Sequence, residues 1–168
     1  MVELTLLVVF PSLMAYAASS DLLTMTIPNK IAIALVLAFG VMAGLAGLSL
    51  DALVMHLAAG ALILVVTFSM FALGWIGGGD AKFAAATALW LGFGVLVDYL
   101  VIAAIAGGVL TLGLLAIRQH PLPAFAARWG WLAHLHDHRT GVPYGIALAA
   151  AALAVYPHSE LWLTALTP

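Results

Sequence analysis

Apolar residues in this chain come in long unbroken runs rather than in the alternating or one-sided patterns of a soluble fold. The runs cover about 4–19, 31–50, 52–73, 83–97, 99–117 and 143–166, separated by short polar connections and one longer one, 118–142. At 1.5 Å per residue, a run of about 20 residues crosses a hydrocarbon core of about 30 Å. The pattern predicts an all-α polytopic membrane protein of about six transmembrane helices, forming one membrane-embedded domain over residues 1–168. The fourth run is short and is expected to borrow length from its flanks or to sit in locally thinned bilayer. Pro11 is expected to kink the first helix and Pro157 to break the last one near its outer end.

Charge placement gives the threading a direction. Lys30, Lys82, Arg118, Arg128 and Arg139 all fall in the odd-numbered connections, whereas the even ones carry only Asp51 and Asp98, and the termini carry Glu3 and Glu160. With six crossings every basic residue lies on one face. The excess of Lys and Arg in cytoplasmic loops then makes that face cytoplasmic, with both termini outside, in a cell inner membrane. Composition agrees: 65% of residues are hydrophobic and 7% charged, and the mean hydropathy is +1.20. A soluble domain carries about 25% charged residues. No cysteine is present, which excludes disulfides, C-x-x-C redox chemistry and thiolate zinc sites. The bilayer is the expected surrounding; no nucleic-acid partner, cofactor or metal is expected. Leu4–Ala18 has the apolar character of a secretory signal, and Ala15-Tyr16-Ala17 weakly resembles a cleavage site. The only flanking charge is Glu3, where a signal would be basic, so the segment is read as a retained helix.

The long connection places Phe125, Trp129 and Leu132 at i, i+4 and i+7, the spacing of a short interfacial helix; a lipid-facing linker fits equally well. His134, His136 and His138 alternate beside Asp137. On a strand they would share a face and could approach a metal, although solvated histidines are the commoner outcome.

Three acids lie on the predicted cytoplasmic face, and two of them, Asp21 and Asp80, adjoin apolar spans. Carboxylates beside a span are costly and so are candidates for function. Asp21 ends the first run in Ser19-Ser20-Asp21, ahead of Ile27-Pro28-Asn29-Lys30. Asp80 closes Gly77-Gly78-Gly79-Asp80 just before the fourth. Consecutive glycines disfavour a helix and suit a backbone that bends sharply or lets another chain approach. Taken alone, the spacing favours Asp80 capping a helix and Asp21 facing water from a loop. Proton-relay acids of a small transporter or channel are a further reading.

Taken together, Asp21 with Ile27-Pro28-Asn29, Gly77-Gly78-Gly79-Asp80-Ala81-Lys82 and Val142-Pro143-Tyr144-Gly145 resemble the type IV prepilin peptidases, GxGD-class aspartyl proteases. The resemblance is strongest to the short, peptidase-only forms of the tight-adherence (Flp-type) pilus systems. It implies that Asp21 and Asp80 are the catalytic pair, that Gly77 and Gly79 are the motif glycines, and that Lys82 and Pro143 support the site. It implies a prepilin substrate, cut after a glycine where its basic leader meets its apolar helix; an archaeal-type preflagellin peptidase would use the same chemistry. Bifunctional relatives add a cysteine-rich domain and methyl transfer. Here the first connection is short and cysteine is absent, so cleavage alone is expected. Lys82 is expected either to tune the aspartates or contact substrate carbonyls, or simply to snorkel.

Overall fold

The computed structural model describes residues 2–123, 125 and 128–166. The regular structure among the described residues is all helical, without strands: α1 (Val2–Thr24), α2 (Asn29–Ala46), α3 (Leu50–Ala72), α4 (Gly78–Leu91), α5 (Leu96–Arg118), α6 (Gly130–His136), α7 (Tyr144–Val155) and α8 (Glu160–Leu166). Each boundary has a local cause. Pro28, extended and without an N–H, opens α2. Gly47 closes it at φ 70°, with the N–H groups of Gly47 and Leu48 turned back onto the carbonyls of Gly44 and Ala43. Ser49 caps α3 by accepting from the Ala52 N–H at 3.2 Å.

Four helices are long and apolar enough to cross a membrane, or up to five if α7 and α8, bent by 42° across a short break, count as one span. The break falls at Ser159, which is extended, just after a 3₁₀ turn over Tyr156–His158; the expected break at Pro157 lies within that turn, two residues earlier. Pro11 lies within α1 without interrupting it. Six crossings are therefore not all present as full-length helices. The expected fourth span, 83–97, is divided: α4 has 14 residues, about 21 Å of helix. Gly92 at φ 65° and a 3₁₀ turn over Phe93–Val95 separate it from α5. At the other end α4 begins earlier than expected, taking Gly78, Gly79 and Asp80 into its first turn.

Burial explains how so short a helix is held. From Ala81 to Leu91, every residue of α4 except Lys82 is buried. α4 packs on α3 and α2 on one side and on α7 on the other, and α7 in turn packs on α1 and α5. Alanines at 84–86 and 88 on α4, and at 147, 149, 151 and 152 on α7, keep the inner helices slim enough to approach closely. Away from the site, Phe10 stacks on Tyr156 at 4.2 Å between ring centroids and packs against Trp90 at 5.0 Å. The Trp90 indole donates to the Leu35 carbonyl at 2.8 Å. The outward faces of α2, α3 and α5 expose Leu37, Val65 and Val109, each about two-thirds accessible, as a surface surrounded by lipid would.

The long connection differs from its expected form. Its helix spans only Gly130–His136, with Trp129 at its N-cap, so Phe125 does not share a helical face with Trp129 and Leu132; residues 124, 126 and 127 lie outside the described residues. His134 and His136 sit on α6 and His138 beyond it, so the alternation does not form the one-sided strand face that metal binding would need. Among the described residues no group of three or more His, Asp or Glu could hold a metal ion.

Candidate active site

α1 continues past Asp21 because its polar residues satisfy themselves on the helix. Ser19 Oγ donates to the Ala15 carbonyl at 2.8 Å, and Thr24 Oγ1 to the Ser20 carbonyl at 2.7 Å. The helix stops at Met25, a non-glycine residue at φ 54°. Ser20 Oγ then donates to the Thr26 carbonyl at 2.9 Å and folds the chain back over the end of α1. Asp21, only 4% exposed, is left facing inward. This overturns the reading of Asp21 as a solvated loop acid.

The returning segment carries Ile27, which serves as a common floor for two other helix starts. A Cβ on Gly79 of α4 would lie 3.2 Å from the Ile27 carbonyl oxygen and 3.4 Å from its Cβ. A Cβ on Gly145 of α7 would lie 2.6 Å from Ile27 Cδ1. The two glycines let the starts of α4 and α7 close onto one side chain.

α7 completes the setting of Asp21. Pro143, at its N-cap, lacks an N–H, and the Gly145 N–H, free in the first turn, donates to Asp21 Oδ2 at 2.7 Å. The positive end of the α7 dipole thus also faces this carboxylate. Tyr144 packs its ring against Gly107 of α5, where a Cβ would collide with it, and its hydroxyl donates to the Ala103 carbonyl at 3.2 Å. Gly107→Ala is accordingly expected to drive the Tyr144 ring from its seat, lowering activity about 10-fold. Gly108→Ala, which meets nothing within 4 Å, should leave activity unchanged. Comparing the two variants' turnover on one substrate checks this.

Asp80 stands in the first turn of α4, three residues after the N-cap Gly77, ahead of the apolar stretch 83–97. Its carboxylate accepts the Gly77 N–H, half of a capping box. Asp80 is therefore an acid of the first turn and not the N-cap itself, which is Gly77. Burial first, and the nearby charge of Asp21 second, push its carboxyl up to about 6 against the pull of the Gly77 N–H.

Asp21 and Asp80 line one cavity of about 760 Å³. Its apolar wall includes Met70, Trp75, Leu100 and Leu148, and its rim includes Met25, Gly141, Val142 and Tyr144. That volume is within the usual range for ligand sites, about 300–1,000 Å³. Neither acid has a basic ion-pair partner among the described residues. Lys82 faces elsewhere: its Nζ donates to Asn29 Oδ1 at 3.0 Å, tying the start of α4 to the start of α2. Of the residues singled out in the sequence, Asp21, Gly77 and Asp80 line the cavity, whereas Gly79, Pro143 and Lys82 do not. Met25 and Gly107 carry no signal in the sequence, Arg118 stands there only among the basic residues that orient the chain, and Tyr144 and Gly145 are visible only as part of a motif.

The family model for the type IV leader peptidase family matches residues 8–112, a stretch that includes both aspartates and ends before α7. No curated protein and no solved structure matches.

Proposed function

The chain belongs to the type IV leader peptidase family, and from that premise we propose that it is an aspartic prepilin peptidase whose catalytic pair is Asp21 and Asp80. The observation that carries the proposal is the shared cavity: a residue ending α1 and a residue starting α4 open onto the same space. Two carboxylates acting on one water do not both ionise readily, so the pair retains one proton up to about pH 6, and that proton belongs to the pair. The ionised member takes a proton from water as it attacks the scissile carbonyl. The protonated member donates to the carbonyl oxygen as charge develops there, then passes its proton to the departing amine. Asp21 accepts the Gly145 N–H at the start of α7 and Asp80 the Gly77 N–H at the start of α4, so a backbone donor and a helix N-terminus support the ionised form of either member. No cofactor is required by this scheme.

The substrate we propose is a prepilin of the Flp type, cut where its basic leader meets its apolar helix. The basic residues of the connections support a cytoplasmic site in the inner membrane, the side on which a positive leader is retained. Gly77, which lines the cavity, would let an extended substrate backbone approach, while Gly79, closed on Ile27, and Lys82 and Pro143 hold the helix starts in place. The short α1–α2 connection and the absence of cysteine support cleavage without methyl transfer.

The test is co-expression with a pilin-like protein bearing a basic start, a glycine and an apolar helix, followed by intact-mass measurement. The wild type should remove the leader, and Asp21→Asn, expressed at the same level, should leave it attached. An unshortened pilin with the wild type, or full processing by the variant, would overturn the reading.

A further inference from the structure

Arg118 is the last residue of α5, and it is 5% exposed with no carboxylate partner among the described residues. A buried cation without a counter-ion is costly unless its donors are satisfied, and here they all turn to one short stretch of chain. Nε and Nη2 donate to the Leu135 carbonyl at 2.9 and 2.7 Å. Nη1 donates to the Thr140 carbonyl at 3.2 Å, and Nη2 also reaches the Gly141 carbonyl at 2.9 Å and Thr140 Oγ1 at 3.1 Å. Returning the contact, His138 Nε2 lies 2.9 Å from the backbone oxygen of Arg118. The turn from the end of α6 to Gly141 is wrapped around a single guanidinium.

The residues beyond that turn give the contact its consequence. Gly141 and Val142 line the cavity, Pro143 caps α7, and Gly145 holds Asp21 through its N–H. Three residues separate the last carbonyl fixed by Arg118, that of Gly141, from the N–H of Gly145 that grips the carboxylate. We propose that Arg118 is a positioning residue of the active site, setting through Leu135, Thr140 and Gly141 where the start of α7 presents Gly145 to Asp21. This rests on the aspartic peptidase reading above. Arginine is needed rather than any cation, because a planar fork reaches several carbonyls at once; a lysine ammonium supplies the charge as a single point.

The experiment uses the full chain in lipid nanodiscs with Arg118→Lys and Arg118→Gly, a pilin-like substrate, and amide hydrogen exchange. For Arg118→Lys the melting temperature should stay close to wild type, kcat should fall about 10- to 100-fold, and KM should change less than about threefold. Added methylguanidinium, but not methylammonium, should recover part of the lost kcat of Arg118→Gly. Exchange over residues 141–146 should quicken in both variants while that of α3 stays constant. Wild-type kcat in a folded Arg118→Lys protein, or unchanged exchange over 141–146, would overturn the proposal; if Arg118→Gly fails to fold, the lysine variant decides. Should the wild type not cleave the substrate, the peptidase reading falls, while the exchange comparison still decides whether Arg118 holds Gly145 in place.

Discussion

Asp80→Asn is expected to abolish cleavage and, at pH 8, to make the protein harder to unfold. The loss of activity, about 10³-fold or more, arises because an amide can neither carry nor return the shared proton. The gain in stability has a separate origin. The Asp80 carboxyl is raised from 3.8 to about 6 in the folded protein, by burial first and by the charge of Asp21 second. The folded chain therefore binds this proton more tightly than the unfolded chain does. Below about pH 3.8 both states hold it and the group adds no penalty; as pH rises through about 6 the folded state must bear a half-buried charge, and stability is lost across that window. Asparagine keeps an oxygen for the Gly77 N–H and carries no charge. With the side chain still reached by solvent through the cavity, a gain of about 1–3 kcal/mol at pH 8 is expected, vanishing near pH 3.5. Melting curves of wild type and variant across pH in the same detergent measure it. A difference in melting temperature that does not change with pH would refute the assignment of Asp80 as a destabilising buried acid.

Such a trade of stability for function is common at reactive sites, and it bears on what the sequence discloses. Runs of apolar residues located the long helices because lipid-facing and core-facing positions are both apolar in a membrane protein, so the signal is strong and needs no periodicity. It failed where tertiary packing overrides local preference. Gly78 and Gly79 disfavour helix on their own, yet they begin α4, where Gly78 lies against the Phe71 ring and Gly79 against the Ile27 backbone with little room for a Cβ. Ser19 and Ser20 look like a helix end, but the hydroxyls of Ser19 and Thr24 bond back to the carbonyls of Ala15 and Ser20, and α1 runs on past Asp21 to Thr24.

The site was legible as residue types and not as geometry. Asp21 and Asp80 belong to different helices, and nothing in their spacing says that they share a cavity; the resemblance of three motifs suggested it. Arg118 counted in the sequence only as one of the basic residues that orient the chain. Its burial depends on carbonyls 17 to 23 residues further on, which no local pattern announces. Val142-Pro143-Tyr144-Gly145 stood out as a motif, but its use lies in a hydrogen bond between residues 124 positions apart.

That bond yields the second large effect. Gly145→Ala is expected to lower cleavage about 10²-fold or more, because reacting groups misplaced by even 1 Å lose about that much. A Cβ at this position would stand 2.8 Å from Asp21 Oδ2, 3.2 Å from Asp21 Cβ and 2.6 Å from Ile27 Cδ1. The tip of Ile27 alone could rotate away. Its backbone cannot retreat, because the start of α4 closes on it at Gly79. Relief must then come from Asp21 itself or from a shift of α7, and either one breaks the 2.7 Å bond from the Gly145 N–H. Overpacking of this kind also costs about 1–3 kcal/mol of stability, so turnover should be measured per folded molecule at a temperature well below the variant's melting point. Gly108→Ala, placed in open space on α5, is the matched control for replacing a glycine in a helix. If Gly145→Ala folds and cleaves like that control, the N–H of α7 does not hold the carboxylate at which the reaction takes place.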